Sequence, residues 1–241
     1  MTVEVLFPKL CNLYGDIKNM DYLRLCLPEA EFIETQITDE RPYFADYDVN
    51  MVYLGSMSEK SQARVIRWLE PYKDRIEAMI DAGTVFLATG NALEVFAESI
   101  ENLTSKEKLA GLGLFPLHVK IDLFDRYNGK NIGDVDGIKV VGFRAQFSQV
   151  YGDNSQGCFM VCDKGAGMNR KSNFEGVRRN NFFGTALLGP LLVLNPLFTE
   201  HLMELMGVPE PKAAFREEAI AAYEQRLVEF SGPKVVFIDC H

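Results

Sequence analysis

The hydrophobic positions of the chain alternate between two spacings. Short runs of strand character at Val3–Phe7, Glu31–Thr35 and Val49–Leu54 are separated by a segment of helical spacing over Ile17–Leu27. A second helical segment covers Ser61–Ala82, where Val65, Ile66, Leu69, Ile76, Met79 and Ile80 recur at near-helical intervals. Pro71 has no N–H to donate and clashes with the preceding turn, so it predicts a kink or a division there. Val85–Ala88 is a further buried-type run. It passes through Thr89-Gly90-Asn91 into Leu93, Val95, Phe96 and Ile100, whose spacing predicts a helix. Strands alternating with helices predict a parallel sheet with helices on both faces.

The second half is patterned differently. His118–Leu123, Ile138–Gln146, Phe159–Cys162 and Phe182–Leu187 predict strands divided by Gly, Asn and Asp turns. Asn195 is suited to cap a helix that Pro196 opens and that runs to about Met206. Ala213–Glu229 predicts an amphipathic helix, and Lys234–Ile238 a last edge strand. No repeat or linker divides the sequence, so residues 1–241 read as one α/β domain.

Composition narrows the chemistry. A chain of 241 residues with 47% apolar side chains buries enough surface to need no disulfide or metal staple. The 25 basic and 34 acidic residues give a net charge of −9, which argues against nucleic acid or an anionic membrane as a partner. Five cysteines (11, 26, 158, 162, 240) and three histidines (118, 201, 241) show no CxxC or HxxxH spacing, so neither a metal nor a cofactor is predicted. No apolar run is long enough to span a membrane and no leader pattern opens the chain, so a reduced, cytoplasmic protein is expected. His118 is expected at a strand end and His201 on an exposed helix face. Cys158 and Cys162 are expected as small apolar residues of an outer strand, and Cys11 lies in the loop leaving the first strand. Gly165-Ala166-Gly167 lacks phosphate-loop spacing and predicts a surface turn. Lys171–Asn181, with Arg170 before it, predicts a solvated hairpin or a docking patch for an acidic partner.

The segment Val85–Phe96 carries the clearest chemical signal. A buried strand turning sharply into a helix is the geometry of a nucleophile elbow, although an ordinary strand-to-helix turn has the same spacing. This stretch resembles the L-A-I-C-G-G-Y-Q-L-L-G elbow of class I glutamine amidotransferases. Other segments match the cobyric-acid-synthase-like (CobB/CobQ-like) branch, which includes the amidotransferase subunit of lipid II isoglutaminyl synthase. Leu6-Phe7-Pro8 through Asn12-Leu13-Tyr14-Gly15-Asp16 resembles its L-Y-P-x-x-x-N-L-Y-G-D, and Gly111–Leu114 its G-L-G-L. Glu175–Arg178 and Gly184–Leu192 with Asn195-Pro196 resemble E-G-V-R and G-T-Y-L-H-G-P-L-L-x-x-N-P. The resemblance spans about residues 4–207 and leaves the tail from Ala213 without a counterpart. It implies a class I glutamine amidotransferase-like (flavodoxin-like) three-layer sandwich, with a largely parallel sheet and added antiparallel strands in the C-terminal half.

The departures from that pattern are as informative. The family's elbow cysteine attacks the glutamine amide and a late-strand histidine activates it. Here Gly90 stands at the nucleophile and Leu188 at the base. The G-G-G-Q-D oxyanion loop reads Gly55-Ser56-Met57-Ser58-Glu59, with Met57 expected to crowd it, and G-F-E-N-H-G-G reads Gly142–Ser148 with Gln146 at the histidine. Lys130, before Asn131-Ile132-Gly133-Asp134, is the nearest match to the family's basic contact for the glutamine carboxylate. Thr89 and Asn91 flank the elbow and complete the candidate pocket. The resemblance leaves three functions open: a silent amidotransferase-like subunit that scaffolds or regulates a Mur-ligase-like synthetase; an active glutaminase for peptidoglycan or cobyric acid amidation with a non-standard nucleophile; or a module that binds glutamine or another small ligand in the vacated pocket.

Overall fold

A computed structural model of the chain describes residues 1–232 together with 238 and 239. In chain order, β1 (Thr2–Leu6), α1 (Lys18–Cys26), β2 (Glu31–Thr35), β3 (Met51–Leu54), α2 (Glu59–Leu69), α3 (Lys73–Asp81) and β4 (Val85–Thr89) form the first half. Then come β5 (Ala97–Asn102), β6 (Lys108–Ala110), β7 (Phe115–Ile121), β8 (Tyr127–Val135), β9 (Ile138–Gln146), β10 (Ser148–Tyr151) and β11 (Met160–Lys164). The chain closes through β12 (Phe174–Glu175), β13 (Val177–Arg179), β14 (Phe182–Thr185), α4 (Leu191–Leu194), α5 (Pro196–Leu205), α6 (Arg216–Ser231) and β15 (Ile238–Asp239).

The central sheet runs β2-β1-β3-β4-β14, all parallel, with β13 antiparallel at its edge. Period-two alternation sends each strand's side chains to two different cores. Val5, Tyr53, Leu87 and Phe183 pack with α1 and α5, whereas Leu6, Leu54, Ala88 and Phe182 pack with α2 and α3. Chain order reverses between β1 and β3, and open α/β sheets bind ligands at such a switch, beyond the carboxyl ends of their strands. A four-stranded sheet, β10-β7-β5-β6, and a second built on β8, β9, β11, β12 and β15 supply the added antiparallel pairings. A backbone bridge between Phe143 and Leu188 ties β9 to the exit of β14.

Several local expectations are corrected. The helix expected from Leu93 is only a 3-10 turn over Gly90–Phe96, after which Ala97–Asn102 extends as β5. Ala92 to Phe96 are all buried, and the Thr89 hydroxyl bonds to Asp16 rather than capping. Asn195 does open α5, but its side chain does not cap it. Its carboxamide pairs with both backbone groups of Val141, at 2.8 Å each. The glycine turn at 165–167 is not superficial: Ala166 is buried and accepts a bond from Asn131. The run 171–181 is less solvated than expected, because Arg178 pairs with Asp136 and Arg179 with Glu77, while Glu175 is fully buried. His201 is half-buried against Phe183 and Phe198, with Nε2 at 3.3 Å from Asp136. The proposed edge strand meets the described residues only at Ile238, and Cys240 and His241 lie outside them.

Candidate functional site

Three loops leave the carboxyl edge of the central sheet together: the segment after β1, the segment after β3, and the turn after β4. They meet the ends of β9 and β14 around a cavity of about 170 Å³. Ser56, Met57, Gly90, Asn91, Gln146 and Leu188, all candidates from the sequence, line it. Gly55, Thr89 and Lys130 do not. A Cβ on Gly55 would lie 2.5 Å from the Cys11 carbonyl, so Gly55 serves close packing behind the cavity wall. Lys130 lies on β8 opposite Phe143, away from the lining.

Gly90 takes φ +60° at the elbow, a conformation that costs an L-residue strain. A Cβ there would stand 2.7 Å from Ser56 Cβ and 3.1 Å from Leu188 Cδ2. The space a nucleophilic side chain would leave through is therefore occupied. The expected crowding by Met57 is corrected: its side chain is buried in the core, with Cys11 Sγ at 3.9 Å from its sulfur, and Ser56 is what abuts residue 90.

Two backbone donors of the loop after β3 are also committed. Ser56 N–H donates to Asp16 Oδ2 at 2.8 Å, and Met57 N–H to Asn91 Oδ1 at 2.9 Å. Asn91 Nδ2 returns a 2.7 Å bond to the Met57 carbonyl. An oxyanion hole needs such N–H groups free to face the reacting oxygen.

Below the elbow lies a buried polar brace. Thr89 Oγ1 donates to Asp16 Oδ2 at 2.6 Å, Tyr53 OH to the Asp16 carbonyl at 2.9 Å, and Asn19 Nδ2 to Asp16 Oδ1 at 2.9 Å. Burial pushes the Asp16 carboxyl above its usual range, and the bonds from Thr89 and Ser56 pull it back. The hydroxyl of Thr89 thus donates to a carboxyl inside the protein, and among the described residues its partners are Asp16 and Tyr53. Burial, with Asp16 near, pushes the Cys11 thiol up to about 12, far from a reactive thiolate. Among the described residues no Cys, His, Lys or Arg lines the cavity, and no group of three His, Cys, Asp or Glu is placed to hold a metal.

Sequence reasoning missed Glu94, which lines the same cavity and is fully buried. Ser148 Oγ donates to one carboxylate oxygen, and Gln62 Nε2 to the other at 2.8 Å. Burial raises its carboxyl to about 7 despite those bonds. The signal was present in the elbow motif: four residues after the nucleophile position the pattern has Gln, and this chain has Glu94.

The family model described as the CobB/CobQ-like glutamine amidotransferase domain matches residues 2–193. The chain belongs to that family. It is 26% identical over 225 residues to the lipid II isoglutaminyl synthase (glutamine-hydrolyzing) subunit GatD of Staphylococcus aureus, covering 90% of each chain. A chain in the structure of PurLQS from Thermotoga maritima superposes with a TM-score of 0.50 at 12% identity, covering 94% of this chain and 98% of that one. That likeness concerns the fold. Among the described residues no helix is long and apolar enough to cross a membrane.

Proposed function

We propose that this family member is a catalytically silent amidotransferase-like subunit that scaffolds or regulates an ATP-dependent, amide-forming synthetase of the Mur-ligase type. The observation that carries the reading is the packing at the elbow, where Ser56 and Leu188 close over the Cβ position of Gly90. A nucleophile lost by one substitution leaves a hole, whereas here the neighbours have taken the space. The committed N–H groups of Ser56 and Met57 support the same reading, since they withdraw oxyanion stabilisation as well. Loss of a catalytic nucleophile costs several orders of magnitude in rate, and nothing in the cavity replaces it.

The synthetase partner is supported by the name of the Staphylococcus aureus relative, which is a subunit of a synthase. The test is reconstitution with the candidate synthetase. The reading predicts a complex whose amide-forming rate responds to this chain when ammonium is the nitrogen source. Glutamine in place of ammonium should give no product. Amide formation from glutamine would overturn the reading.

A further inference from the structure

The cavity beside Gly90 has a chemistry of its own. Its two charged lining residues are carboxylates, Glu94 inside and Glu59 at the exposed first turn of α2. Glu59 answers the positive end of α2, so that helix end brings no uncompensated positive charge to the rim. Arg126 is not itself in the lining but stands against two residues that are, with its guanidinium 5.4 Å from the Phe147 ring centroid and bonded to Tyr14 OH at 3.2 Å. The remaining walls are apolar at Leu13, Ile121 and Leu188, with the carboxamides of Asn91 and Gln146 between them.

This lining discriminates among ligands. A carboxylate entering the cavity would meet Glu59 and the ionised fraction of Glu94, with no cation among the lining residues to offset them. Glutamine carries such a carboxylate. A cation meets the reverse. Ionised Glu94 has about four acceptor sites and uses two for Ser148 and Gln62, leaving lone pairs free for a further donor. Size adds a second limit: an apolar cavity of about 150 Å³ holds a benzene-sized guest, so 170 Å³ suits roughly six to eight non-hydrogen atoms.

We propose that the cavity beside Gly90 binds a small organic cation, a protonated primary amine on a short aliphatic stem. The ammonium is drawn to Glu94 and Glu59, and the stem lies along Leu13, Ile121 and Leu188. The proposal rests on the silent reading of the site, and gives the vacated pocket a ligand class unlike the family's glutamine. Binding is also coupled to a proton, since the amine needs Glu94 ionised. The groups packed against Glu94 are Gln62 and Glu59 from α2 and Ser148 from β10, of which Glu59 is the charged one.

The test is calorimetric titration of the full chain with n-alkylammonium chlorides from methyl to hexyl, alongside glutamine and glutarate, at constant ionic strength. Affinity should rise along the series to about butyl and fall beyond it, with glutamine and glutarate at least tenfold weaker. E94Q should weaken the best amine at least tenfold, and E59Q, an exposed change that leaves the core intact, about two- to threefold. Between pH 6 and pH 8 wild-type affinity should rise about tenfold, following the ionised fraction of a group near 7. If E94Q does not fold, the E59Q and pH arms still decide. The proposal is overturned if no amine binds, if glutamine or glutarate binds as well as the amines, or if affinity ignores both E59Q and pH. Glutamate release from glutamine would sink the silent reading itself; absence of amine binding in a chain that releases none sinks only this proposal.

Discussion

The Cβ of Ser56 lies 2.7 Å from the point where a Cβ on residue 90 would stand. The two atoms are mutually exclusive without backbone movement. The motifs this sequence resembles carry glycine where Ser56 stands and cysteine where Gly90 stands. G90A should therefore destabilise the protein by about 1–3 kcal/mol, from overpacking and from an L-residue at positive φ. Ser56→Gly should relieve part of that cost. A double-mutant cycle by urea unfolding should give a favourable coupling above about 0.5 kcal/mol, whereas additive effects would show the two sites to be independent.

The brace beneath the elbow should be stiff to small changes. Thr89→Val keeps the shape of the side chain but removes a donor to Asp16 and a partner of Tyr53 OH. A buried acceptor left short of a donor costs about 1–3 kcal/mol, and equilibrium unfolding should register a loss in that range.

Glu94 gives the protein a characteristic pH response. Its folded carboxyl, near 7, lies above the unfolded value of 4.5, so the folded state keeps a proton that the unfolded chain releases. The stability this proton confers is full below about pH 4.5, declines as pH rises toward 7, and is gone above it. The decline amounts to roughly 3 kcal/mol if burial acts alone on this group. Unfolding of wild type and E94Q at pH 5, 6, 7 and 8 should show the difference between them shifting toward E94Q as pH rises. A constant difference would refute the assignment.

In the C-terminal half Arg144 and Glu175 form an ion pair whose side chains are both fully buried. Arg144 also donates to Asn131 and the Gly167 carbonyl, while Glu175 accepts from Thr185 and from the Ala186 N–H at 2.8 Å. Arg144→Met strands the carboxylate without a counter-charge and should cost about 3–5 kcal/mol. Pairing it with Glu175→Gln should recover a substantial part, measured by the same unfolding assay.

The central fold was legible because β3 and β4 are buried on both faces and read as near-continuous apolar runs, with β1 broken only by the buried Glu4, and because Pro71 divides the helical segment where the structure places a 3-10 turn. What the sequence hid is long-range. Tyr127–Val135 contains two Asn, two Gly, a Lys and an Asp, and becomes β8 only through pairing with β9 along its whole length. Leu93, Val95, Phe96 and Ile100 carry helical spacing, yet the first three sit in a 3-10 turn and Ile100 in β5, whose backbone pairs with β6 and β7. The turn after β4, with Gly90 and Leu188 beside it, was readable as a candidate elbow. Their consequence was not, since Ser56 and Gly90 are far apart in sequence and only the sheet brings their Cβ positions into collision. Glu94 was overlooked for the opposite reason: one carboxylate within an apolar run looks like a helix's polar edge until Ser148 and Gln62 are seen to close over it.

The most direct measurement of the central claim is glutamate release from glutamine by the purified chain, compared with C11A, T89A and the triple variant G90C/S56G/L188H. The account predicts no release above the protein-free rate for the wild type, and no change on C11A or T89A. The triple variant restores space, thiol and base together and is the one form in which any turnover should emerge. Wild-type release that copurifies with the chain and disappears in C11A or T89A would contradict the account outright.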